Sequence, residues 1–138
     1  MTLTDYYMGR DKLYASELTP ELIANATETV RRATILIAIM QSDGVVFQIN
    51  PATETIITSG WRPQAINLAT KGAAPHSKHM TCQAIDIYDP DGDIDDWCMA
   101  NEEQLAEVEL WLEHPAATKG WSHWQTVAPR SGNRVFYP

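Results

Sequence analysis

Only two cysteines occur in this chain, Cys82 and Cys98. That is too few for a disulfide framework, and neither belongs to a Cys-x-x-Cys metal pair, so they read as free thiols. Positive charge is scarce as well: ten Lys and Arg against eighteen Asp and Glu leave a formal net charge of -8. Nucleic acid and anionic membrane surfaces both attract through a positive field, so this balance excludes broad binding to either. Long apolar runs are missing, and the most apolar segment, Ala33 to Met40, is far too short to span a bilayer. The start, Met1 to Tyr6, has neither the basic residues nor the apolar stretch of a secretory signal. The expectation is a product made in the cytoplasm without a signal peptide, whose action elsewhere requires release by another route. Repeats, linkers and low-complexity stretches are also lacking. With 44% hydrophobic and 20% charged residues, the composition is that of one globular domain over residues 1–138, expected to work as a monomer.

What is present reads as alternating scaffold and loop. Tyr6, Tyr7, Met8, Leu13 and Tyr14 make the first eighteen residues an aromatic arm packed on the body. Thr19-Pro20-Glu21 is a helix start: a capping hydroxyl, a proline in the first turn, then a carboxylate near the positive end. Leu22, Ala26, Val30, Ala33, Ile37 and Met40 follow at helical spacing, which predicts one long amphipathic helix over 20–41, closed by Ser42-Asp43-Gly44. Strands are predicted over 45–49 and 54–58, with a turn over 50–53 between them. Ser59-Gly60-Trp61-Arg62-Pro63 is a tight bend, and residues 64–70 a short helical turn.

The acids of Asp89-Pro90-Asp91-Gly92-Asp93-Ile94-Asp95-Asp96 alternate as in a calcium loop. Such a loop wants glycine sixth and glutamate twelfth, whereas Gly92 is fourth and Ala100 twelfth. The stretch reads instead as an acidic surface turn between strands. Asn101 and Gln104 have capping-box spacing, and Leu105, Val108 and Leu112 give an apolar stripe, so a second helix is predicted over 102–113. Residues 121–127 alternate as a strand, and the tail is a turn with a short final strand. The fold class is α+β, a small mainly antiparallel sheet flanked by the two helices.

Chemistry concentrates at Pro75-His76-Ser77-Lys78-His79-Met80-Thr81-Cys82-Gln83-Ala84-Ile85-Asp86-Ile87. Strand alternation sends Ile85 and Ile87 to one side and Asp86 to the other. His79, in the loop before, can fold back to the same spot. Imidazole and carboxylate converging suit a zinc ion needing one or two more ligands; the bland alternative is a pair of local hydrogen bonds. His123, sharing a strand face with Trp121 and Gln125, supplies a second imidazole. A catalytic zinc commonly takes three protein ligands and leaves a position for water, a count that His79, Asp86 and His123 meet.

Three segments together resemble the zinc D-Ala-D-Ala carboxypeptidase family of peptidoglycan peptidases: the 59–63 bend with Asn67, Ser77-x-His79-x-x-Cys82-x-Ala84-x-Asp86, and Trp121-Ser122-His123. The family signature is Ser-x-His-x-x-Gly-x-Ala-x-Asp, preceded by a Ser-Gly-aromatic-Arg turn and followed by a late strand bearing the last histidine. The tail, Pro129 to Pro138, is similar to that of small bacteriophage-encoded members. The resemblance implies a hedgehog/D-Ala-D-Ala-peptidase-like fold and a metallopeptidase acting on peptidoglycan peptides, as a carboxypeptidase or an endolysin-type endopeptidase. It implies Zn2+ on His79, Asp86 and His123, with Arg62 holding a substrate carboxylate or carbonyl oxygen and Ser77 bracing the loop. It also implies action on the cell wall, after release or as part of a phage particle.

Two positions depart from the pattern. Cys82 stands where the signature has glycine. Gly120 stands where the family carries its general base, an acid three residues before the last histidine. Glu113 is then the nearest carboxylate in sequence and His114 a weaker candidate; as a helix-end residue, Glu113 would need the loop over 115–120 to fold back across the site. The rival expectation is a non-catalytic zinc-containing phage structural or wall-binding module, and the residue at 120 favours it.

Overall fold

The computed structural model describes residues 1–138 throughout. The aromatic arm forms two short helices, α1 (Leu3–Tyr7) and α2 (Arg10–Leu13). Thr2 and Asp5 cap α1 reciprocally: the Thr2 hydroxyl accepts from the Asp5 N–H at 3.2 Å, and the Asp5 carboxylate accepts from the Thr2 N–H at 2.8 Å. Tyr6 and Tyr7 are buried, so the arm is part of the core. Helix α3 runs Pro20–Ser42, with the Thr19 hydroxyl accepting from the Leu22 N–H at 3.2 Å as the cap predicts. Ala26, Ala33, Leu36, Ile37 and Met40 face inward along its length.

The remaining α-helices and strands are β1 (Ile57–Ser59), α4 (Gln64–Ala69), β2 (Ala84–Asp89), α5 (Asp93–Ala100), α6 (Glu102–Glu107), β3 (Trp111–Glu113), β4 (Gly120–Gln125) and β5 (Val135–Phe136). The five strands form one sheet in the order β1-β2-β4-β3-β5, antiparallel except for the final β3–β5 pair. This is the expected α+β arrangement. Strand alternation gives the sheet two unlike faces. Ile85, Ile87, Leu112 and Trp124 point into the core beneath α3, α5 and α6, whereas Asp86, His123 and Glu113 point the other way.

Four predicted stretches differ. Residues 45–49 form no strand, because no neighbour pairs with them: Val46 is 79% exposed and Ile49 59%. The strand predicted over 54–58 shrinks to β1. Glu54 takes a left-handed φ of 59°, which breaks extended pairing, and the Thr53 hydroxyl donates to the Ile57 carbonyl at 2.7 Å.

The acidic stretch keeps an exposed turn over 90–92, with Asp91, Asp93 and Asp96 at the surface, but it leads into helix α5 rather than a strand, and Asp89 and Asp95 are buried. The Asp89 carboxylate accepts from the N–H groups of Ile94 and Asp95 at 3.0 and 2.9 Å and so starts α5. The helix predicted over 102–113 stops at Glu107, and the expected capping box is not made, since Asn101 Nδ2 donates to the Trp97 carbonyl instead. Glu109, at a φ of 56°, turns the chain, and residues 111–113 become a strand of the sheet between β4 and β5.

Asp95, in the first turn of α5, is 3% exposed and receives the Thr118 hydroxyl at 3.2 Å. Burial, with Asp89 and Asp96 adding repulsion, pushes its carboxyl up to about 6. An acid whose folded value lies above its unfolded one, ~3.9, costs stability once both states are ionised. That cost is relieved as pH falls from 6 towards 4. Asp95→Asn should therefore raise the melting temperature at pH 8 by roughly 4–8 °C, from ~1–2 kcal/mol after allowing for the lost helix-dipole contact, with little gain at pH 4. Melting curves at the two pH values check this; an equal gain at both would point to packing instead.

Candidate metal centre

Three separate segments build the site, and each has a local cause. The first is the bend after β1. Gly60 lies so close to the arm that a Cβ there would sit 1.9 Å from the Tyr6 carbonyl oxygen, which excludes any side chain. That approach leaves the Gly60 carbonyl facing inward, where His79 Nδ1 meets it at 2.8 Å. The next residue but one, Arg62, is tied by its backbone N–H to the His79 carbonyl at 3.1 Å.

The second segment is the loop into β2. Ser77 Oγ accepts from the His79 N–H and from Arg62 Nη2, both at 3.2 Å, so one hydroxyl locks the histidine loop to the arginine. The Thr29 hydroxyl of α3 donates to the Cys82 carbonyl at 2.7 Å and holds the far end. Cys82 adopts a φ of 58°, the left-handed conformation natural to glycine, and keeps it with a fully buried thiol. Burial pushes that thiol up to about 12, so it is an inert packing group rather than a thiolate. Cys98 is likewise free and buried.

The third segment is the sheet itself. Asp86 of β2 stands directly opposite His123 of β4. The β3–β4 register pairs Trp111 with Gln125 and Leu112 with Trp124, and Glu113, the next residue, lies near enough to His123 for each to shift the other's titration. Glu113 in turn pairs with Phe136, whose ring meets the His123 imidazole edge-on at 6.4 Å between centroids. Asp86, His123 and Glu113 thus come from three adjacent strands of one sheet, and no loop has to fold back to bring Glu113 near. The sequence-based expectation of a helix-end Glu113 is corrected here: it is a strand residue, placed by register.

His79, Asp86 and His123 each turn one possible ligand atom into a common space, all within 4.8 Å of one another. His79 Nε2 lies 3.2 Å from Asp86 Oδ2, and His123 Nδ1 lies 2.8 Å from Asp86 Oδ1. The donor chemistry fits a cation. The Gly60 carbonyl can only accept, so His79 carries its hydrogen on Nδ1 and faces Asp86 with a bare Nε2 lone pair. That Nε2 is buried without a hydrogen-bond partner, and a lone pair set against a carboxylate oxygen is satisfied by a metal ion between them.

The electrostatics agree. Burial holds His79 below its ordinary value, with Asp86 recovering only part of the drop. Burial would raise Asp86, yet the two imidazoles hold it well below the usual carboxylate range. Burial would lower His123, but Asp86 and Glu113 outweigh it and draw the imidazole up. Burial raises Glu113, as does Asp86, with His123 opposing.

Arg62 is 8% exposed, makes no ion pair, and has a buried Nε without a partner. Its guanidinium is lowered chiefly by that burial, with Asp86 acting to raise it. His114 is turned away from the cluster: its Nδ1 accepts from the Ala116 N–H at 3.0 Å and its ring stacks on Tyr137. Gly120 is exposed at the end of β4 and brings no group to the site. Sequence reasoning missed Gln125, whose Oε1 lies 3.1 Å from His123 Nε2. Its place on the His123 face was readable from alternation, but the contact needed the three-dimensional path of the chain beyond β4.

A family model described as Peptidase M15 matches residues 12–117, a span that takes in Arg62, His79, Asp86 and Glu113 and stops short of His123. No curated protein and no solved structure matches the chain.

Proposed function

The chain belongs to the peptidase M15 family, and from that premise we propose that it is a zinc-dependent hydrolase of peptide bonds in bacterial peptidoglycan stem peptides. The observation that carries this reading is the bare, buried Nε2 of His79 facing the Asp86 carboxylate with His123 Nδ1 alongside. His79, Asp86 and His123 would hold the zinc, which when bound would polarise the scissile carbonyl and acidify the attacking water. Asp86 supplies the negative charge that a dication needs among two neutral imidazoles. Arg62, fixed by Ser77 and lacking a carboxylate partner, would take a substrate carboxylate or carbonyl oxygen through its two-pronged face.

Glu113 would accept the proton that the attacking water gives up and return it to the leaving nitrogen, a role supported by its closeness to His123 and Asp86. The same reading takes the chain as a single domain of bacteriophage type, acting as carboxypeptidase or endolysin-type endopeptidase on the wall, after release or within a particle. The non-catalytic wall-binding alternative rests on Gly120, and the position of Glu113 supports the enzyme over it. Metal analysis followed by digestion of purified peptidoglycan, with products read by mass spectrometry, tests both: about one zinc per chain and new amine and carboxyl ends are expected. Zinc and wall binding without new ends would decide for the module.

Arg62→Lys separates substrate orientation from metal binding. Lysine keeps the charge but not the fork, so zinc content should be unchanged while turnover on wall peptides falls by ~10²-fold. A variant that cleaves as fast as the parent would make Arg62 a scaffold residue.

A further inference from the structure

Gln125 stands two residues after His123 on the same face of β4 and is 6% exposed. Its side-chain amide makes two contacts: Nε2 donates to the Val127 carbonyl at 2.7 Å, and Oε1 lies 3.1 Å from His123 Nε2. The chemistry of these atoms leaves one arrangement. A backbone carbonyl only accepts, so the amide end facing Val127 is the NH2 and the end facing His123 is the oxygen. That oxygen also only accepts, so His123 Nε2 must carry a hydrogen. Asp86 Oδ1, 2.8 Å from Nδ1, likewise only accepts, so without a metal Nδ1 carries a hydrogen as well; with Nε2–H held by Gln125, Nδ1 is the nitrogen that gives up its hydrogen and offers a lone pair when a metal ion enters.

We propose that Gln125 is a positioning residue that relays the Val127 carbonyl to His123, fixing the Nε2–H tautomer and presenting Nδ1 to the metal. His79 reaches the same end directly, with its Nδ1 hydrogen on the Gly60 carbonyl and Nε2 presented instead. The two imidazoles are therefore held in opposite tautomers, each by a group that can only accept. An amide suits position 125 because it has one donating and one accepting end. Leucine matches its bulk but offers neither. Glutamate keeps an acceptor for His123 and sets its second oxygen against the Val127 carbonyl with no hydrogen between them.

This inference rests on the cluster being a zinc site, and the test separates the two. Nitrogen-15 spectra of the zinc-loaded parent should show His79 with its hydrogen on Nδ1 and His123 with its hydrogen on Nε2. His123 found with its hydrogen on Nδ1 would overturn the proposal without any variant. In chelator competition, Gln125→Leu should bind zinc ~10–100-fold more weakly, the usual scale for a group that orients a ligand. Gln125→Glu should stay within roughly tenfold of the parent and keep the His123 tautomer. Parent-like affinity in the leucine variant, or equal losses in both, would assign Gln125 to packing and overturn the proposal. A parent that takes up no zinc would overturn the reading of the site itself, and this inference with it.

Discussion

His79→Ala and His123→Ala should each cost the protein its zinc. The cluster offers three ligand atoms, one from each residue, and two rarely retain the ion. The loss should exceed the ~10–100-fold typical of supporting residues, so metal analysis after dialysis should find each variant essentially empty. The two variants fail for different local reasons. Removing His79, 1% exposed, also leaves the Gly60 carbonyl without its partner and a cavity beneath the arm, so thermal stability should fall too. The His123 side chain is 12% exposed and ties up no backbone carbonyl, so its removal should spare the fold better while leaving Asp86 with a single imidazole. Circular dichroism on both variants distinguishes an emptied site from an unfolded chain. Full zinc occupancy in folded samples of both would overturn the ligand assignment.

Why this cluster could be read from sequence, while its neighbours could not, follows from the range of the forces involved. Alternation within a strand is local: Ile85 and Ile87 must enter the core, so Asp86 faces out, and the same rule puts His123 opposite Trp124. Helix α3 was legible for the same reason, its cap and its stripe both being written within one segment. Register is not local. That Asp86 meets His123 directly is decided by β2 pairing with β4 across a long excursion, and nothing near either residue states it.

The stretch over 102–113 shows local information misleading. Leu105, Val108 and Leu112 have helical spacing, yet β4 needed an outer partner, and pairing residues 111–113 with it outweighed the helical preference. The turn that makes this possible sits at Glu109, whose left-handed φ no glycine or asparagine announces. The acids over 89–96 fail in the opposite sense: they look like solvated surface, but Asp89 and Asp95 are spent on helix capping and on Thr118 inside the fold. Residues 45–49 carry strand-like composition with no strand to meet.

Glu113→Gln should leave zinc content and wall binding intact while hydrolysis falls ~10²–10⁴-fold, the range typical of general acid–base help. The substitution keeps shape and hydrogen bonding but removes the group that can take a proton. Three features make Glu113 the carboxylate to test. Strand β3 carries it close enough to His123 for the two to shift each other; burial raises its carboxyl above the ordinary value; and Gly120 leaves no acid at the position the family usually uses. Its place is fixed from outside the site by β5: the Leu112 and His114 N–H groups donate to the Arg134 and Phe136 carbonyls at 2.9 and 2.7 Å, straddling Glu113. Those bonds hold the backbone on either side while the side chain faces His123, so the carboxylate is delivered by rigid strand rather than by a mobile loop. A Glu113→Gln variant that cleaves peptidoglycan at the parent rate would pass the proton-transfer role to solvent or another residue, even though the geometry stands. A loss of zinc together with activity would mean instead that Glu113 supports His123 as a ligand, and the metal measurement on the same sample separates the two.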